Sequence, residues 1–260
     1  VTAALAQQLD GNFRVHAAWI PSQLPGMTAR LDPDLTLVDC GMPCDTFNLV
    51  LGARLGPDAE ARIAEAIDFF RARGHPFSWW TGPGDQPEDL TRRLVRSGLR
   101  PAETELAMAA RLADIPSDEA DRQDLTILRA GTPRMVREFA GILAANWAPP
   151  DPDVEAFYRQ AVPLLLQPEA PLWLYVGFVA GEAVAAAEVC VGGGVAGLYN
   201  VATLATQRGK GYGTAITRRA LRDARDAGRE IAVLQAAPDG VGIYRRLGFT
   251  AFGEVREYHP

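Results

Sequence analysis

The chain has 260 residues, 48% of them hydrophobic and 22% charged, with a formal net charge of −6. That length holds one large core or two ordinary ones, at roughly 100–200 residues per domain. The negative charge speaks against a broad nucleic-acid or anionic-membrane surface, so any anion site has to be local. In chain order, "MTARLDPDLTLVDCG" predicts two short strands around Pro33-Asp34. A strand over 46–55, a helix over 57–74 opened by Pro57, and a strand over 77–83 follow. A short helix over 87–98 ends at Gly98, and "ETELAMAARL" is a further strand. The polar, acidic segment 113–124 is the linker candidate, dividing the chain into 1–115 and 122–260.

The second part begins with a strand over 125–131. A helix over 132–147 has Thr132 as N-cap and Pro133 at its first position. A helix over 153–166 is disturbed by Pro163. "LWLYVGFVA" and "EAVAAAEVCV" form a hairpin around Gly181-Glu182, and 195–204 is another strand. A glycine-rich loop then leads into an amphipathic helix over 213–228, with Ile216, Ala220, Ala224 and Ala227 on one face. A buried strand over 230–237, a short helix over 239–248 and a terminal strand or strand pair complete the chain. Strand, helix, strand, short helix, glycine and strand thus occur twice, which predicts an internal duplication. Aligning Gly98 with Gly248 sets Leu94 opposite Tyr244, and Gly56 opposite a position beside Gln207.

Cys40, Cys44 and Cys190 are the only cysteines, an odd and sparse set that is no disulfide framework. They read as small buried residues of a reducing cytoplasm. His16, His75 and His259 are scattered, so no metal is expected. "VTAALAQQLD" lacks the basic and apolar regions of a signal peptide, and no apolar run of about 18 residues predicts a membrane span.

The loop "QRGKGYGT" carries the chain's single lysine, Lys210. It joins a strand to a helix N-terminus, where unpaired amides and the helix dipole favour an anion. Its glycines let a phosphate approach the backbone, and Arg208 and Lys210 add charge. A Walker A loop would place the lysine after the last glycine, and a dinucleotide fingerprint would need glycine where Thr214 stands.

R-x-x-G-x-G from Arg208 to Gly213, the preceding "LYNVATL" and the later "YRRLGF" together resemble the GNAT acyltransferase superfamily, over about residues 125–260 in order. The resemblance implies an α+β fold: two tandem GNAT-like domains, each a mixed, mostly antiparallel twisted sheet flanked by helices. The second domain would be catalytic, and the first a degenerate copy without a cofactor site. Its counterpart loop, "RLGPDAEAR", offers one glycine and the acids Asp58 and Glu60. Acetyl-CoA is implied as co-substrate, with no metal. Its pyrophosphate would lie on Arg208, Gly209, Lys210, Gly211, Tyr212, Gly213 and Thr214, and its pantetheine arm along Val201, Ala202 and Thr203. The sequence departs from the family's pattern at Ala205, where a proline is common, and at Ala237, where Asn or Ser is common.

The family's position near the thioester sulfur falls on Tyr244, whose phenol can donate a proton. Glu188, the one acid within its apolar strand, is the candidate base, with a pKa expected to be raised by burial. Asn200 and Tyr199 are alternatives for positioning substrate or water, and Trp147, Tyr158 and Trp173 could wall an acceptor pocket. The function implied is N-acetylation of a small-molecule amine by direct attack in a ternary complex. A non-catalytic acyl-CoA sensor and a transferase of longer acyl groups stay open. The chain would be a cytoplasmic monomer with an intrachain pseudo-dimer, or a homodimer, with no nucleic-acid or membrane partner.

Overall fold

The computed structural model describes residues 2–116 and 123–260. The elements run α1 (Thr2–Ala18), β1 (Thr28–Leu31), β2 (Thr36–Asp39), β3 (Leu49–Leu51), α2 (Ala59–Arg71), β4 (Ser78–Thr81), α3 (Leu90–Arg96) and β5 (Arg100–Arg111). Part of the expected linker, 117–122, lies outside the described residues. Then come β6 (Thr126–Arg129), α4 (Pro133–Ala144), α5 (Pro152–Leu165), β7 (Leu172–Val179) and β8 (Glu182–Cys190). The last elements are β9 (Ala196–Thr203), α6 (Tyr212–Asp226), β10 (Ile231–Ala236), α7 (Val241–Arg246) and β11 (Thr250–His259). Thr132 caps α4 by accepting from the Met135 amide at 3.3 Å, as its sequence position predicts. Pro163 sits inside α5 without ending it. The β7–β8 turn falls on Ala180-Gly181, one residue before the expected place, with φ positive at both positions as a two-residue hairpin requires.

Among the described residues, eleven strands form one sheet, in the order β1-β2-β3-β4-β11-β5-β10-β9-β8-β7-β6. The order is nearly symmetric about its centre, and the central pair is exchanged. The last strand of the first half, β5, pairs with β10 of the second half, while β11 pairs with β4 of the first. β5 and β11 then pair antiparallel with each other. The duplicated units β3-α2-β4-α3-β5 and β9-α6-β10-α7-β11 are thereby locked together. Each half closes its sheet with the other's final strand, so a cut between 115 and 122 does not yield two self-contained sheets.

A second tie comes from α1, which lies on the sheet face of β8 and β9. Asn12, fully buried, donates to the carbonyls of Cys190 and Gly192, both at 2.8 Å, and accepts from the Tyr199 hydroxyl at 2.8 Å. The approach is close enough that a Cβ on Gly197 would stand 1.9 Å from Asn12 Oδ1. Phe13, Ala17, Phe139, Tyr158 and Leu174 share one apolar core on this face. On the other face α6 packs Tyr212, Ile216, Ala220 and Ala224 against β7–β10. All three cysteines are free and buried. Among the described residues no helix is long and apolar enough to cross a membrane.

Candidate active site

The site begins with a parting of strands. β9 and β10 run parallel and pair at Ala196/Ala232, Gly197/Val233 and Leu198/Leu234. Beyond Leu198 they diverge. A register shift in the β8–β9 ladder falls at the same point, between Ala186 and Glu188, and Asn200 takes a φ of 52° there. Such an extra residue bends its strand and re-aims the side chains around it. In the gap opens a cleft of about 640 Å³. Its walls include Asn200 and Val201 of β9, Gln235 of β10 and Tyr244 of α7.

The glycine loop lies beyond the end of β9, on the way into α6. Gly209 and Gly211 have φ of 75° and 82°, and Gly211 is the N-cap of α6. Position 213 packs on β9: a Cβ there would meet Thr203 Oγ1 at 3.4 Å. Arg208 is held in place by the Thr203 carbonyl at 3.1 Å and by Asn146 Oδ1 at 3.3 Å. Lys210 Nζ donates to Gln207 at 2.7 Å. The first amides of α6 have no intrahelical acceptor, so the residues present suit a diphosphate. Not every residue of the expected set can offer its side chain. Tyr212 is 3% exposed and its hydroxyl donates to Asp124 at 2.8 Å, which leaves its backbone alone at the loop. Ala202 packs into the core opposite.

Tyr244 lies in the cleft wall with its ring edge-on to Phe249, 5.9 Å between centroids. A Cβ on Gly240 would be 3.0 Å from the ring, so only glycine lets α7 begin this close. Burial, and then the Glu105 carboxylate, push its pKa up to about 12. The phenol therefore stays protonated at neutral pH and can donate its hydrogen to negative charge that develops beside it.

Glu188 sits differently from expectation. It is 1% exposed and does not line the cleft. Its Oε2 accepts from Tyr158 Oη at 2.9 Å and from Asn200 Nδ2 at 2.9 Å, and its Oε1 faces His16 Nε2 at 3.3 Å. Burial pushes its pKa up, but the charge of His16 and the hydrogen bonds of His16, Asn200 and Tyr158 outweigh it and leave the pKa lowered. The expected raised pKa is thus reversed, because burial came with three partners. What Glu188 does is hold others: His16 and Asn200 both line the cleft. The His16 ring stacks on Tyr199 at 3.8 Å.

Of the aromatics named from sequence, Trp147 and Tyr199 line the cleft and Tyr158 lies buried behind it. Trp173 is elsewhere, under the Arg129 guanidinium at 4.2 Å. Sequence reasoning missed α1 and with it Phe13 and His16, although Leu5, Leu9, Asn12, Phe13 and His16 fall at helical spacing. It also missed Glu105, which reaches the cleft from β5.

Comparison with known proteins agrees with this architecture. Residues 129–252 match the family model described as "Acetyltransferase (GNAT) domain". Over these residues the chain is similar to GNAT acetyltransferase domains, a family for which use of acetyl-CoA is typical. No curated protein matches the chain. Among solved structures, a GCN5-related N-acetyltransferase from Kribbella flavida is similar over 100% of this chain and 95% of its own, at 20% identity and a TM-score of 0.73. A tandem GNAT protein from the clavulanic acid biosynthesis pathway is similar over 91% and 83%, at 14% identity and a TM-score of 0.61. A GCN5-related N-acetyltransferase from Sphaerobacter thermophilus is similar over 100% and 93%, at 15% identity and a TM-score of 0.63. At these identities the likeness is one of fold, and it extends over both halves.

Proposed function

We propose that the protein is an acetyl-CoA-dependent N-acetyltransferase acting on a small-molecule amine by direct attack within a ternary complex. The observation that carries this reading is the parting of β9 from β10, which opens the cleft beside Tyr244 and leads to the glycine loop. The loop amides from Gly209 to Thr214, with Arg208 and Lys210, would bind the diphosphate. Val201 to Thr203 would pair their backbone with the pantetheine arm, which the divergence of β10 leaves room for. The thioester supplies an activated acyl group. A β9 backbone N–H at the bulge would polarise the carbonyl oxygen, an interaction that strengthens as charge develops there. Tyr244 would protonate the departing thiolate.

The N-terminal half is read as a structural partner without a cofactor site. Its equivalent strands do not part. Past β3 and β4 the backbone closes again, with Gln86 N donating to Ala53 O at 2.9 Å and Leu55 N to Gln86 O at 3.0 Å. At the equivalent helix start, Pro57 has no N–H to give, and Glu60 sits in the first turn of α2, paired with Arg93. Release of free thiol from acetyl-CoA in the presence of an amine panel tests the function. Amine-dependent release is the expected result. Acetyl-CoA binding with no release above buffer would favour a sensor, and faster release from a longer acyl-CoA would change the donor.

A further inference from the structure

The cleft has a charge character that the family match does not explain. Besides Glu105, its titratable groups are His16 from α1, Asp45 from the loop before β3, Glu103 from β5, Tyr199 from β9, Glu257 and His259 from β11, and Tyr244 from α7. Four carboxylates thus face two histidines, and no arginine or lysine among the described residues lines the cleft. The carboxylates are not equally engaged. Glu257 accepts from Ser78 Oγ at 2.6 Å and lies 3.1 Å from His259 Nε2. Asp45 is 3.7 Å from His259 Nδ1.

Glu105 has no hydrogen bond or ion pair among the described residues, although it is half-buried. Its place follows from the strand exchange. β5 pairs with β10 up to Leu106/Ala236, so Glu105 is the first residue past the end of β10. It stands opposite Val255 on the β11 side. There β10 leaves the sheet for the loop that leads to α7 and Tyr244. The exchange therefore carries a carboxylate of the N-terminal half to the mouth of the C-terminal half's cleft, next to the phenol.

We propose, on the reading of the cleft as an acyl-transfer site, that Glu105 takes the proton from the acceptor's ammonium, and that the acceptor is a cationic amine without a carboxylate near the reacting nitrogen. The proton and bond account closes without another reactant. The ammonium passes one proton to the Glu105 carboxylate, leaving a neutral amine with a lone pair. That lone pair forms the C–N bond to the acyl carbon while the C–S bond breaks. The thiolate takes a proton from Tyr244, and Tyr244 is reprotonated by the second proton lost from the acylated nitrogen. Glu105 then releases its proton to solvent, giving amide, free thiol and one net proton.

The surroundings suit both parts of this role. Burial, and then the charges of Glu103 and Glu257, push the Glu105 pKa up to about 7, in the range where a base both accepts and releases a proton readily. The same mutual repulsion is relieved when a cation enters, so the wall favours an ammonium and disfavours an acidic acceptor. Glu188 cannot serve in its place, being closed off behind His16 and Asn200.

The test uses the full chain saturated with acetyl-CoA. Benzylamine, tyramine, putrescine and spermidine are compared with glycine and glutamate by thiol release between pH 5.5 and 9. Wild type is expected to prefer the amines lacking a carboxylate, with kcat/KM rising through about pH 7. Glu105→Gln should lower kcat/KM about 100-fold for the best amine and lose that limb, at unchanged acetyl-CoA affinity. Glu105→Asp should keep the limb and part of the rate. The inference is overturned if Glu105→Gln keeps the wild-type profile, or if the limb disappears instead in His16→Gln. Preference for the amino acids, or no response to any amine while acetyl-CoA binds, would overturn it equally. Absence of acetyl-CoA binding to the wild type would sink the acyltransferase reading itself.

Discussion

Replacing Glu188 by glutamine removes one negative charge from the centre of the molecule and keeps its shape. The carboxylate accepts two hydrogen bonds at Oε2 and faces His16 at Oε1. A glutamine oxygen placed at Oε2 could still accept from Tyr158 and Asn200, but as a neutral acceptor. Each such change costs about 1 kcal/mol, the difference between charged and neutral hydrogen bonds. The amide NH2 would then oppose His16 Nε2–H, donor against donor, and a ring that frees Nε2 to accept keeps its proton on Nδ1, which has no partner. That adds about 1–2 kcal/mol. Relief of the buried charge offsets part of the sum, leaving a net loss of about 2 kcal/mol. For a chain this long the loss corresponds to a fall in Tm of roughly 4–8 °C. Glu188→Ala, which orphans every partner, should lose about twice as much. Because the native pKa is lowered, the stabilisation exists above the unfolded-state pKa and disappears as pH falls through the native one. Denaturant titrations of wild type and Glu188→Gln should therefore differ at pH 7, and the gap should close as the pH falls through the lowered native pKa. Equal stability at pH 7, or a gap that persists unchanged into acid, would refute an ionised Glu188 holding this network.

Three further outcomes follow from other parts of the molecule. Tyr244→Phe should leave acetyl-CoA affinity unchanged and reduce turnover about 10-fold or more, measured by thiol release with the best amine; a wild-type rate at every pH would remove the phenol from the chemistry. Gly197→Ala places a methyl group 1.9 Å from Asn12 Oδ1 and should detach α1 from β8 and β9, lowering stability by about 3 kcal/mol; calorimetry showing a wild-type Tm would contradict the packing described. Burial and the neighbouring Asp10 raise the Asp85 pKa to about 8, so the native state holds a proton that the unfolded chain loses near pH 4. Stability from this group falls as pH rises between those values, and Asp85→Asn should gain on wild type over the same range, by about 2 kcal/mol at pH 8 since Asp10 shares the titration. A constant difference across that range would show Asp85 ionised throughout.

Most helices and strands were legible because each carries its own period. α4 and α6 show an apolar face at helical spacing, and the β7–β8 hairpin shows a turn between apolar runs. The expected strand over 46–55 shrinks to Leu49–Leu51, since the residues after it turn away to close on Gln86. The exchange of β5 and β11 could not be read. Both are long strands following a short helix and a glycine, and nothing local distinguishes pairing at home from pairing across the duplication. Glu105 went unrecognised for that reason: in isolation it is one polar residue in the polar first half of a long strand. The glycine loop was legible because its chemistry is local. The Glu188 pKa was misjudged because its sign depends on His16, 172 positions earlier in the chain and on a helix that brings it within 3.3 Å.

Equilibrium titration of the full chain with acetyl-CoA tests the central claim most directly. The account predicts one site per chain, because the C-terminal half has parted strands and a glycine loop, whereas the N-terminal half has closed strands and an acidic helix start. Gly211→Asp brings a negative charge to the N-cap of α6 and should abolish that binding. Asp at this left-handed position costs about 1–2 kcal/mol, so the variant should still melt as a folded protein. Two equivalent sites per chain, no binding by the wild type, or unchanged affinity in a folded Gly211→Asp would contradict the account.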